Sequence, residues 1–128
     1  MRIRVISLGF VAAAGGAAAV LVGSGTASAV TPFMGPDEVG VVLTPGETAA
    51  FATGPIPGGI DALVPFGAQR VDLEPESQLA EPDGSTYAST AAIAAEAAAH
   101  PGGGAYVSVV NPLDPRDPGA LLVVGQYW

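Results

Sequence analysis

An alanine-rich run, residues 86–99, constrains the fold of this chain more than any other stretch. It contains no residue that breaks a helix, and Asp83 or Ser85 in front of it can cap a helix through a side-chain oxygen. His100-Pro101-Gly102 ends the run, because a residue before proline is pushed out of the α region. The pattern predicts a helix of about four turns. Its small side chains allow a close approach to a sheet.

Several short apolar segments have the composition of β-strands. Residues 105–110 and 120–124 follow the predicted helix and are joined by residues 111–119, whose three prolines make a stiff connection between antiparallel strands. Residues 39–43 predict a further strand and residues 69–73 a short one, while the acidic residues 73–83 are expected to cross the surface. We therefore expect a small single α+β domain, with one antiparallel β-sheet of three to four strands covered on one face by the Ala-rich helix.

The tetrad from Thr44 to Glu47 has two interpretations. Pro45 and Gly46 can form the centre of a turn between two strands of a hairpin. Alternatively, Thr44 caps a helix, Pro45 occupies its first position and Glu47 completes a capping box. The alanines that follow, and the Gly-Pro pair at positions 54 and 55, favour the helix.

Residues 54–67 alternate glycine and proline with large apolar side chains. They form either a loop that folds these side chains beneath itself or an exposed apolar loop that binds a partner. The first alternative is favoured, because secreted monomers seldom expose contiguous apolar patches. For the second, the candidate binding residues are Ile56, Ile60, Leu63 and Phe66, and in the stiff loop 111–119 they are Leu113 and Arg116.

The first 29 residues have the order of a secretory signal peptide. Arg2 and Arg4 precede an apolar run rich in Ala and Gly, and the segment ends in small residues with Ala29. An uncleaved membrane anchor is the alternative, but Ala and Gly make a poor partner for lipid. We predict a signal peptide over residues 1–29, an extended N-terminal arm over 30–38, where Pro32 and Pro36 interrupt hydrogen bonding, and the α+β domain over 39–128.

Charge and cysteine content exclude several functions. The segment 1–29 holds two arginines and no acid, so its removal takes the formal charge from -8 to -10 and leaves Arg70 and Arg116 against twelve acids. Such a chain cannot neutralise a phosphate backbone, which excludes nucleic acid as a partner and disfavours anionic membranes. The chain has no cysteine, so neither a disulfide nor a lipid-modified cysteine is available.

Candidate catalytic residues are few. His100 is the one histidine, and it is four residues after Glu96, which favours a role in capping and pairing at a helix end over a catalytic triad or a zinc site. Glu74 and Glu76 could form a carboxylate pair, but they occur in the proline-containing acidic segment, and the chain has few aromatic residues for a sugar platform.

Calcium is coordinated in proteins by oxygen atoms. Asn111, Asp114 and Asp117 share the stiff loop, although their spacing is not that of an EF-hand, and we treat them as a candidate weak calcium site. No other cofactor is indicated.

Taken together, these features predict a small, acidic, secreted or envelope-associated protein that is not an enzyme and binds an extracellular or envelope protein. A stiff proline loop loses little entropy on binding, which favours this interpretation. The alternative is a small secreted hydrolase that uses His100 or a carboxylate pair.

Overall fold

Five strands form one mixed sheet in the computed structural model, which describes residues 30–128. The strands are β1 (Thr31–Met34), β2 (Glu38–Val42), β3 (Gln69–Asp72), β4 (Gly104–Val110) and β5 (Leu122–Tyr127). Their order is β1-β2-β4-β5-β3, and neighbours are antiparallel except for β3 and β5, which are parallel. The small α+β domain is thus confirmed, whereas the expected sheet of three to four strands, all antiparallel, is wrong.

The two edge strands account for the difference. Part of the segment expected to be a separate arm forms β1, where Pro32 is tolerated because an edge strand can leave one side of its backbone without ladder bonds. At the other edge, residues 73–121 separate β3 from β5, and a connection of that length allows the two strands to pair in parallel. The antiparallel pairing of β4 with β5 across the stiff loop is as expected. The predicted signal peptide, residues 1–29, lies outside the described residues.

Three α-helices are present in the described residues: α1 (Pro45–Thr53), α2 (Ile56–Leu63) and α3 (Thr90–Ala99). The helical interpretation of Thr44 to Glu47 is confirmed by a complete capping box at the start of α1. The Thr44 hydroxyl accepts from the Glu47 backbone N–H, and the Thr44 N–H donates to Glu47 Oε2 at 2.8 Å.

Helix α2 replaces the loop expected over residues 54–67. Ile56, Ile60 and Val64 recur every four residues and pack against the core, so burial of one face outweighs the low helix propensity of Gly58 and Gly59. A short 3-10 helix, Phe66–Ala68, connects α2 to β3.

Helix α3 begins at Thr90, four residues later than expected. Ser89 caps it, and the carboxylate of Asp61 on α2 accepts both the backbone N–H of Thr90, at 3.1 Å, and its hydroxyl, at 2.5 Å. Thr86 instead donates its hydroxyl to the carbonyl of Leu79. Contacts distant in sequence therefore set the start of this helix.

All three helices contribute side chains to one face of the sheet. Phe51 of α1 packs with Val41, Leu43, Ala94 and Ala105, and a second cluster joins α3 to β5 through Ile93, Leu122 and Val124. Ala94 and Ala97 are fully buried, which confirms that the Ala-rich helix packs closely on the sheet. Within residues 30–128, no helix has the length and apolar character needed to cross a bilayer.

Candidate functional site

The face of the sheet opposite the helices carries two aromatic rings that lie across glycines. A Cβ atom on Gly125 would come within 2.0 Å of Tyr106 Cζ, and one on Gly40 within 2.7 Å of Phe33 Cε1. Phe33 and Tyr106 meet edge to face, with ring centroids 6.5 Å apart. The two glycines thus let both rings lie against the backbone of the strands.

A polar network adjoins these rings. The Tyr106 hydroxyl donates to Asp72 Oδ2 at 2.8 Å, Arg70 binds the same carboxylate at 3.0 Å, and Arg70 also binds Asp117. Burial, followed by the hydrogen bond to Asp72, raises the pKa of Tyr106, so its hydroxyl stays protonated as a donor. The hydrogen bond to Asp72 is the main cause that raises the pKa of Arg70. Both groups are therefore held in fixed protonation states at neutral pH.

Between the rings and this network is an open cavity of about 300 Å³, which we call the open-face cavity. Glu38 contributes a carboxylate that accepts from the Ser108 hydroxyl at 3.2 Å. Within residues 30–128, no ion pair joins Glu38 to a cation. The lining residues are Phe33, Glu38, Val42, Arg70, Asp72 and Tyr106.

A second surface lies at the end of the sheet where β2, β3 and β5 begin. Leu63 and Phe66 precede β3, and Leu121 precedes β5. Met34 and Val109 both pair with Val39 of β2, one from each side, so the three residues form a row across the sheet. The N–H of Leu121 donates to the carbonyl of Ala68 at 2.8 Å, which ties the two strand starts together. The apolar end is formed by large hydrophobic residues that are exposed: Met34, Leu63, Phe66, Val109, Leu113 and Leu121.

The predicted binding residues divide into two groups. Ile56 and Ile60 are partly buried and pack against the core. Leu63 is 83% exposed, Phe66 48% and Leu113 85%, and all three belong to the apolar end.

Arg116 belongs to the same loop as Leu113, residues 111–119, and forms ion pairs within the chain. It forms ion pairs with Asp114, at 2.6 Å, and with Asp37, at 3.1 Å. It therefore fixes the loop to the turn before β2, and its charge is already shared by two carboxylates.

The structure gives no support to the candidate calcium site. Asp114 binds Arg116, Asp117 binds Arg70, and the side-chain oxygen of Asn111 accepts from the Leu113 N–H at 3.1 Å. The hydrogen bond from Arg116 is the main cause that lowers the pKa of Asp114. In the part of the chain from residue 30 onward, no group of three or more His, Asp or Glu side chains is placed to hold a metal ion.

His100, the candidate catalytic histidine, and Glu96, the residue expected to pair with it, both have structural contacts. The His100 ring stacks on Trp128, with centroids 3.9 Å apart and planes 4° from parallel. Glu96 accepts from the Ser77 hydroxyl at 2.5 Å, the Gln78 N–H at 2.7 Å and Gln126 Nε2 at 3.0 Å. Burial opposes ionisation of Glu96, but these hydrogen bonds outweigh it and lower its pKa. His100 and Glu96 thus connect the end of α3 to neighbouring segments.

Sequence reasoning missed the open-face cavity because its residues come from four strands. Gly40 and Gly125, each within an apolar strand, were the available signal, since an isolated glycine in a strand often marks close approach of another group. Neither a protein-family model, nor a curated protein, nor a solved structure matches the chain.

Proposed function

We propose that this chain is a small, secreted, acidic protein without enzymatic activity, which binds an extracellular or envelope protein through its apolar end. One observation carries the proposal. Of the seven large hydrophobic residues that are exposed among residues 30–128, six occur at this end of the sheet, and Tyr87 is the exception. Clustered apolar exposure of this kind is typical of interaction surfaces, whereas scattered exposure is not.

The partner should present an apolar surface surrounded by basic residues. Asp37, before β2, and Asp114 and Asp117, in the loop 111–119, lie at this end and are paired with Arg116 and Arg70. The negative charge that remains is that of the whole chain, which has few cations to offset its twelve acids. Charge of this sign around an interface accelerates association with a basic partner and disfavours an acidic one. Loop 111–119, held by its prolines and by Arg116, is already ordered and loses little entropy on binding.

Secretion rests on the signal-like residues 1–29, and it is tested separately. The absence of cysteine excludes only a lipid-modified cysteine as an anchor. We expect the native protein to begin at Val30 and to occur in the medium or the envelope, as measured by intact mass. A species that retains Met1 would contradict cleavage.

Binding is tested by photo-crosslinking in the source organism. A photoreactive amino acid is placed at Leu63, at Leu113 or, as the matched control, at Tyr87, which is 80% exposed but lies outside the apolar end. We expect one extracellular or envelope protein to be crosslinked from Leu63 and Leu113 but not from Tyr87. With that protein purified, Leu113→Asp should abolish binding and Tyr87→Asp should preserve it. Equal crosslinking from all three positions, or none, would refute the proposal.

A further inference from the structure

The open-face cavity has the size of a site for a small ligand. Its volume of about 300 Å³ lies at the lower limit of ligand pockets, which are about 300 to 1,000 Å³. It therefore suits a small molecule or one side chain of a larger partner. It opens on the sheet face that the helices leave uncovered, so a ligand reaches it without displacing any of them.

The charges in and beside the cavity favour a cation. Glu38, Asp72 and Asp117 contribute three carboxylates, and Arg70 contributes one compensating charge. The guanidinium already donates to Asp72 and Asp117, so few of its N–H groups remain to hold an anion. Glu38 is the lining carboxylate that no arginine neutralises among residues 30–128.

The apolar lining favours a cation with an organic body. Phe33 and Tyr106 place aromatic rings in the same cavity as Glu38, and Val42 adds an aliphatic surface. Aromatic rings attract ammonium and guanidinium groups through their quadrupoles, and aliphatic stems pack against such walls. A hydrated metal ion would use neither feature.

We propose that the open-face cavity binds a primary ammonium or guanidinium group on a short aliphatic stem, with the charged head at Glu38 and the stem against Phe33 and Val42. The ligand is either a free amine or a lysine or arginine side chain of a polypeptide. The cavity opens on the uncovered face of the sheet and adjoins the apolar end, since Glu38 is the first residue of β2. The inference rests on the lining of the cavity alone and does not depend on the proposed function.

The experiment is a titration of the isotope-labelled native protein by NMR. The probes are n-butylammonium, the peptide acetyl-Gly-Lys-Gly-amide, and two controls, n-butanol and inorganic phosphate. We expect the two cations to shift the amides of Gly40 and Tyr106 saturably, with a dissociation constant of about 1 mM, given the few atoms that make contact. Tighter binding of butylammonium would indicate a free amine, and tighter binding of the peptide a polypeptide side chain.

Two substitutions test where the charged head is held. Glu38→Gln should weaken both cations about tenfold or more, whereas Glu81→Gln, on the exposed acidic segment, should leave the affinity unchanged. Phe33→Leu serves as a second variant if Glu38→Gln does not fold, and it should also weaken binding. The proposal is overturned if neither cation gives a saturable shift, or if butanol or phosphate binds as well as the cations. It is also overturned if Glu38→Gln folds and binds the cations like the native protein. If Glu38→Gln does not fold, the same result with Phe33→Leu overturns it.

Discussion

Gly125→Ala should destabilise the domain strongly, although the same substitution is mild at most strand positions. The new Cβ would lie 2.0 Å from Tyr106 Cζ and 2.4 Å from its hydroxyl oxygen, where ordinary contacts are 3.4–4 Å. The ring must therefore move by at least about 1.4 Å, the difference between 3.4 and 2.0 Å. That movement also breaks the hydrogen bond to Asp72, which is 2.8 Å long in the native state.

The magnitude follows from two contributions. Overpacking costs about 1–3 kcal/mol, and a hydrogen bond to a charged group contributes about 1.5–3 kcal/mol. Because Tyr106 is only half-buried, water can replace part of the lost hydrogen bond to Asp72 and so reduces its cost. We expect a loss of about 2–4 kcal/mol in the free energy of unfolding, which lowers Tm by roughly 10–25 °C in a domain of this size.

The assay is thermal and urea denaturation of matched variants. Gly58→Ala is the control, because a Cβ there meets no atom within 4 Å and the residue is inside α2. It should stabilise the protein by up to about 1 kcal/mol. In a Tyr106→Ala background, Gly125→Ala should cost less than about 0.5 kcal/mol, since the colliding ring is gone. An equal cost in both backgrounds, or no cost in the native one, would refute the reasoning.

Three further predictions concern contacts that the helices make with other elements. In the native protein the buried N–H of Ala105 donates to the Thr48 hydroxyl at 2.9 Å, and Thr48→Val leaves it without an acceptor. The substitution should lower the free energy of unfolding, measured by urea denaturation, by about 1–3 kcal/mol. Thr48→Ser keeps the hydroxyl and should lower it less. Asp61→Ala removes the carboxylate that accepts from Thr90 and should cost about 1–2 kcal/mol, with loss of helical circular dichroism before the main transition; a cost near zero would contradict the assigned start of α3. Glu96 has a lowered pKa in the folded protein, so its stabilising contribution is present above the unfolded pKa and lost as pH falls through the folded value. Glu96→Gln should therefore lower Tm at neutral pH and flatten its decline in acid, and an unchanged pH profile of Tm would contradict this.

The features predicted correctly depend on neighbours in sequence. The capping box of Thr44 and Glu47 needs residues three apart, and the end of α3 needs His100 before Pro101. The antiparallel pair β4 and β5 needs only the stiff loop between its strands. Local geometry suffices in each case, and all three are therefore visible in the sequence.

The candidate binding residues show the limit of this reasoning. Ile56 and Leu63 occur in the same apolar segment, yet Ile56 packs against the core cluster that contains Phe51, and Leu63 is 83% exposed. Burial depends on which face of α2 packs against the core. In the sequence, glycines and prolines obscure the recurrence of apolar residues every three to four positions that would identify this face.

The sequence by itself determined the class of the domain, its acidity, the absence of disulfides and the positions of most helices and strands. Only the tertiary structure decided that β3 joins β5 in parallel, that Asp61 starts α3 at Thr90, and that Glu38, Arg70 and Tyr106 line one cavity. The physical reason is the distance along the chain between the partners. Helix caps and turns form among neighbouring residues, whereas these contacts join segments tens of residues apart and exist only once the sheet has assembled.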